Sequence, residues 1–302
     1  MSVIRSATRR NPCRLTDDTH SLTNAVPMPD KAGIMSICHI FANFGVIIHD
    51  NMEYRLLSEQ EYNDLENRII YEDNHLLVVN KRAGEIVQGD KTGDEPLCET
   101  YKAFIAMRDN KPGQVFMGVP HRLDRPVSGL TILAKTSKAL ERLSAMFREG
   151  NVHKTYWALV CAHPEPESAL LEDWLVRNEK MNKSFVCSRP EGRKEAKLAK
   201  LRYRLLCPTE RYWLVEVELL TGRHHQIRCQ LAAHGTVIKG DLKYGAPRSN
   251  KDGSISLVAR HISFIHPVKK TPLSLTAPLP DDWKGVPAWP ADPADPCTTD
   301  RE

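Results

Sequence analysis

What most constrains this chain is a pair of stretches near its middle that repeat with a period of two. Ala199, Leu201, Tyr203 and Leu205 alternate with Lys200, Arg202 and Arg204; Trp213, Val215, Val217 and Leu219 alternate with Leu214, Glu216 and Glu218. Successive side chains of a strand point to opposite faces, so each stretch reads as a strand with one face to bury, the first carrying a basic face on its other side. Shorter apolar runs at 69–71, 75–80, 130–134 and 153–160 read as further strands, the first two joined by a turn at Glu72-Asp73-Asn74. Helical spacing appears between them. Residues 97–107 put Leu97, Tyr101, Phe104 and Ile105 on one face; Leu140, Leu143 and Phe147 recur behind a Thr136 or Ser137 cap and before Gly150; 225–234 form a short helix with Ile227 and Leu231 on its buried stripe, stopped by Gly235. The fold is mixed α and β.

The ends differ from this middle. Residues 1–51 show no sustained period, and past 280 the text turns to proline and acid, DDWKGVPAWPADPADPCTTDRE, which cannot bury enough surface to offset the entropy lost on ordering. The expected organisation is an extension over 1–55, one catalytic domain over 56–280 and a disordered tail over 281–302. No apolar run approaches the roughly 18 residues of a spanning helix; the longest candidate, 33–48, is interrupted by His39 and Asn43.

Charge is distributed unevenly. The net charge is +4, but residues 121–270 hold 27 Lys+Arg against 15 Asp+Glu, leaving 15 against 23 elsewhere. A basic segment of this size suits a polyanion partner, because phosphate binding is driven largely by Lys and Arg displacing counterions; a solvated lysine-rich surface is the plainer alternative. The eight cysteines are scattered, with no CxxC and no Cys/His pair at zinc-ligand spacing. A reducing, cytoplasmic setting with free thiols fits them best.

Three stretches carry candidate chemistry. In HRLDRPVSGLTILA, at 121–134, a lone acid, Asp124, stands between Arg122 and Arg125 ahead of a turn and a strand; by itself it reads equally as a surface ion pair. In KTYWALV, at 154–160, alternation puts Tyr156 on the face of Ala158 and Val160, which also suits a plain core tyrosine. In LTGRHHQIRCQLAAHGTVIKGDLKY, at 220–244, Arg228 either projects from the helix's first turns towards a cleft or is solvated. The adjacent His224 and His225 point about 100° apart on a helix and have no Cys or acid at ligand spacing, so no metal site is expected.

In this order the stretches resemble the RluA-type pseudouridine synthases, whose usual text is HRLDxxTSG, KxYxA, GRxHQxR and GDxxYG. EDNHLLVVNKRAG, from Glu72, is similar to that family's first motif, and the likeness runs from about Tyr71 to about Pro278. Departures are Arg82 for a usual proline, Val127 for threonine, and Cys229-Gln230 for a hydrophobic residue and histidine; no amino-terminal S4-type RNA-binding module is visible.

The resemblance implies an α+β fold with a largely antiparallel central sheet, flanking helices and a catalytic cleft. It implies isomerisation of a uridine in structured ribosomal or transfer RNA. Asp124 matches the catalytic aspartate, Tyr156 the tyrosine that stacks on the target base, Arg228 the arginine that pairs with the aspartate, and Arg122 the arginine that fills the space left by the flipped nucleotide. Arg125, Arg223 and His225 are expected to contact RNA with it, and Lys200, Arg202 and Arg204 to hold the backbone by charge alone. The reaction breaks the bond from C1′ to N1 and joins C5 to C1′ with no electron or group gained or lost, so no metal or organic cofactor is called for, and a monomer suffices. A catalytically idle RNA-binding or RNA-folding protein is the rival reading, set against the presence of all three residues Asp124, Tyr156 and Arg228.

Overall fold

In the computed structural model, residues 46–49, 52–111, 113–187, 195–283 and 286 are described. Most of the amino-terminal extension and of the carboxy-terminal tail lies outside them. A hairpin of β1 (Val46–His49) and β2 (Met52–Arg55) precedes α1 (Glu59–Asn67). Ser58 and Glu61 start that helix reciprocally: the Ser58 hydroxyl accepts from the Glu61 N–H and the Glu61 carboxylate accepts from the Ser58 N–H, satisfying two otherwise orphaned donors.

The turn expected at 72–74 forms around Asp73, whose carboxylate accepts the N–H groups of His75 at 2.7 Å and Leu76 at 2.8 Å. It joins β3 (Ile69–Glu72) to β4 (Leu76–Lys81). Then follow α2 (Leu97–Arg108), β5 (Ser128–Ala134), α3 (Ser137–Glu149), β6 (Val152–Val160), β7 (Ser168–Asn178), β8 (Lys183–Cys187), β9 (Lys197–Pro208), β10 (Trp213–Leu219), α4 (Gln226–Ala233), β11 (Leu257–Ile265) and β12 (Pro272–Thr276). Thr136 caps α3 through its side chain, and Gly150 closes the helix at a φ of 79°.

Strands β3 to β12 form one sheet in the order β3-β4-β5-β11-β6-β10-β9-β7-β8, with β12 added to β11. Every pairing is antiparallel except β5 with β11. That parallel contact is short, two residue pairs, and it depends on Gly129: at a φ of 112° any side chain there would run into the backbone of Ala259.

The period-two pattern sorts side chains onto separate cores. On β6, Tyr156, Ala158 and Val160 pack with Leu201, Tyr203, Val215, Val217, Ile227 and Leu231 on one face, while Trp157 and Leu159 turn to the other with Leu214, Val258 and Trp283. The packed chain thus reaches Trp283, three residues past the boundary expected at 280, because its indole joins that second core. On β4, Leu77 and Val79 meet α2 while Leu76 and Val78 meet α3.

Candidate active site

Asp124 lies on the connection that enters β5, and two groups from β4 and the residues after it hold that connection in place. Lys81, fully buried, donates its ammonium to the carbonyls of Val127 at 2.6 Å, Arg82 at 2.9 Å, Arg125 at 3.1 Å and Asp124 at 3.4 Å. The Gly84 N–H adds a bond to the Arg125 carbonyl at 2.8 Å. A cation facing only carbonyls still bears its desolvation, and burial pulls the Lys81 amine down to about 8.

Arg228 enters from the first turn of α4. Its Nε and one terminal nitrogen grip Asp241 at 2.7 and 2.8 Å, and the other terminal nitrogen reaches Asp124 Oδ2 at 3.0 Å. The side chains of Arg228 and Asp241 are 5% and 1% exposed, whereas Asp124 keeps 28%. Arg228 is therefore not a solvated helix arginine. Its fork is fixed on a buried carboxylate by two parallel bonds, and its remaining arm presents charge to a second, open one. The face of Tyr244, 5.2 Å away, backs the guanidinium.

His225 completes the surround. It caps α4 in the left-handed region at a φ of 50°, which puts Nε2 at 3.5 Å from Asp124 Oδ2 and Nδ1 at 3.2 Å from the Tyr244 hydroxyl. Burial first, then the Arg228 charge, lowers its pKa to about 2, so the ring is neutral. Gln226 ties down the loop before it, accepting from Thr221 Oγ1 at 2.8 Å and the Arg223 N–H at 2.9 Å and donating to the Lys200 carbonyl at 3.0 Å.

Tyr156 stands on β6, 8% exposed; burial, then the nearby Asp124 charge, pushes its phenol up. Asp124, Tyr156 and Arg228, from three separate segments, thus meet in one place. Arg122 is exposed at the rim without a hydrogen bond or ion pair among the described residues; Arg223 is exposed on the loop before α4; Arg125 is held by Asp94 at 2.6 Å and by Thr92 at 2.7 Å.

Lys200, Arg202 and Arg204 are not brought to this site. Their neighbours Leu201 and Tyr203 share the Tyr156 face, so strand alternation turns the three cations the other way, where they pair with Glu172, Glu218 and Glu216 at 2.8, 2.6 and 2.7 Å. Four residues of the site carried no role in the sequence reading: Lys81, Gln226, Asp241 and Tyr244. All four stand in the recognisable motifs, Lys81 in EDNHLLVVNKRAG, Gln226 in GRHHQIR, and Asp241 and Tyr244 in GDLKYG, and that was the available signal.

Among the described residues no group of three His, Cys, Asp or Glu side chains could hold a metal ion, and no helix is long and apolar enough to cross a membrane. The site is a single half-open carboxylate backed by a buried arginine-aspartate pair, with exposed Arg122 two residues away along the chain.

Comparison with known proteins identifies the class. The profile of the RNA pseudouridylate synthase family matches residues 75–233. The ribosomal large subunit pseudouridine synthase C of Vibrio cholerae is 36% identical over 222 residues, 72% of this chain and 67% of that protein. The tRNA pseudouridine synthase C of Vibrio parahaemolyticus is 31% identical over 73% of this chain and 93% of its own length. In fold, the chain is similar to the solved human RNA pseudouridylate synthase domain containing 4, with a TM-score of 0.62 and 24% identity over 75% of this chain and 95% of that one. The chain belongs to the RNA pseudouridine synthase family and is an isomerase acting on RNA.

Proposed function

We propose that the chain converts a specific uridine of structured ribosomal or transfer RNA to pseudouridine, with Asp124 as the reacting carboxylate. The observation that carries this reading is the meeting of Asp124 with Arg228 at 3.0 Å across 104 residues of sequence, with Tyr156 beside them and one side of the carboxylate open.

The target base cannot be reached while stacked, and drawing it out costs roughly a few kcal/mol. Stacking on Tyr156 returns about 1 to 3 kcal/mol, and Arg122 fills the gap in the helix. Asp124 then acts on the ribose in one of two ways. It attacks C1′ as a nucleophile and breaks the bond from C1′ to uracil N1, or it removes the C2′ proton so that the same bond breaks and a glycal is left. In either route the uracil turns, C5 bonds to C1′, the C5 proton leaves and N1 takes up a proton; the first route breaks the ester between Asp124 and C1′ as C5 bonds, and in the second Asp124 returns its proton to C2′, so atoms balance without a co-reactant. Arg228 keeps a positive charge on Asp124 Oδ2 and leaves Oδ1 for the sugar. Arg125, Arg223 and His225 contact the RNA around the opening. The catalytic unit runs from about 56 to Trp283 and works as a monomer on cytoplasmic RNA.

The test is to sequence pseudouridine positions in total RNA from cells with and without this protein, and with the Asp124→Asn variant. One or a few positions should disappear in the deletion, return with the wild-type chain and stay absent with the variant. An unchanged pseudouridine map would reject the reading.

A further inference from the structure

Lys154 is a cation in a place that offers it no partner. It stands on β6 between Val152 and Tyr156, all three on one face of the strand, with Val152 in the α3 core and Tyr156 in the core beneath the cleft. Among the described residues its ammonium makes no hydrogen bond and no ion pair, and it lies over the Phe147 ring at 5.6 Å from the centroid. Burial alone lowers its pKa, with no carboxylate raising it. Neighbouring His121 gives no help, since that ring is itself neutral, its pKa lowered to about 3 by burial first and then by Lys154.

A half-buried cation without a counter-charge destabilises the free protein, because its lost hydration is not replaced. A methionine would fill this position at no such cost. The charge makes sense if something anionic meets it. The ammonium also faces the way in: Nζ lies beside Gly222, on the exposed loop that runs into His225 and Arg228, where even a Cβ would sit 3.8 Å from it. Along β6 it is two residues, about 6.6 Å, from Tyr156. A small cavity adjoins it, lined by Lys154 and Tyr156 together with His121, His261, Leu130, Ala259 and Ile262.

We propose that Lys154 is a phosphate-binding residue of the cleft, its ammonium taking a non-bridging oxygen of the RNA backbone next to the uridine held at Tyr156. This rests on the RNA isomerase reading above. It assigns Lys154 to substrate capture; the reacting carboxylate remains Asp124.

The test compares the wild-type chain with Lys154→Met, Lys154→Gln and Lys154→Arg. Binding to a labelled oligouridylate is measured across a salt series, and turnover is measured on pseudouridine-free ribosomal and transfer RNA transcripts. Met and Gln should weaken binding about tenfold and reduce the steepness of log affinity against log salt by about 0.7 to 1, the value of one phosphate contact. They should raise KM more than they lower kcat, Arg should restore most of both, and Lys154→Met should melt no lower than wild type. An unchanged salt slope would overturn the proposal. So would a fall in kcat alone, which would put the ammonium on the base, or a lowered melting temperature with normal affinity, which would make it structural. If the wild-type chain turned over none of the transcripts, the isomerase reading itself would have failed, a result distinct from any of these.

Discussion

The two faces of the central sheet carry charge in opposite ways. On one, Arg228 and Asp241 are almost wholly buried and joined by two short bonds, with Asp124 as a third, half-open member. On the other, Lys200, Arg202 and Arg204 form a longer and more conspicuous basic row, yet each is exposed and already matched to a carboxylate on the neighbouring strand. The second row dominates the sequence; the first dominates the energetics. Exposed pairs contribute about 0 to 1 kcal/mol, whereas removing one partner of a buried pair leaves an uncompensated charge. A run of cations is therefore a poor guide to a site until the carboxylates opposite it have been counted.

That contrast can be broken at several points. Replacing Arg228 by Met strands Asp241 at 1% exposure and should cost about 3 to 5 kcal/mol in urea unfolding, while Arg228→Met with Asp241→Leu should recover most of that loss without recovering isomerisation. A double variant as unstable as the single one would show that packing, and not charge, sets the cost. Lys81→Met takes the ammonium from four carbonyls, of which Arg125 keeps the Gly84 N–H and Asp124 the Val127 N–H, and should cost about 1 to 3 kcal/mol, with a matching loss of turnover.

Acid probes the same buried side. His121 and His225 are held neutral in the folded chain, at about 3 and about 2, but in the unfolded chain they take up a proton near the ordinary histidine value. Their folded values are depressed, so the unfolded state binds more protons below about pH 6.5. Stability should therefore fall as pH drops through 6 and 5, by about 1 kcal/mol per pH unit for each ring. Both rings should be silent in an NMR titration over that range. Titration of either near 6.5 would contradict the buried geometry. The smallest effects belong to the exposed row: Arg202→Ala and Arg204→Ala should each shift stability by less than about 1 kcal/mol and leave the salt slope of RNA binding unchanged.

The central strands were legible because their signal is local. Strand β9 alternates over Ala199–Leu205 and β10 over Val215–Leu219, β6 adds a continuous apolar run over Tyr156–Val160, and α3 announces both ends through Thr136 and Gly150. Helix α1 and strands β1, β2, β7, β8, β11 and β12 are not evident in the sequence pattern, β1 and β2 falling in the stretch read as an extension over 1–55. In β7 and β8 many outward and inward positions alike remain exposed, so no face stands out until they pair along the sheet's edge. The meeting of Asp124, Tyr156 and Arg228 was legible through motif order alone. The burial of Arg228 was not, because Asp241 comes to it from beyond the helix, and only the folded chain shows that both lie out of water. The pairing of the basic row is readable as well: Glu216 and Glu218 stand opposite Arg204 and Arg202 as soon as β9 and β10 are paired as neighbours.

The most direct measurement is single-turnover isomerisation by Asp124→Asn, run beside its RNA affinity. The amide keeps the side chain's size and removes its charge and nucleophilicity, so turnover should vanish while affinity stays within about a few-fold of wild type, the cations of the rim being untouched. Pseudouridine formed by the variant at a measurable fraction of the wild-type rate would contradict the assignment of Asp124.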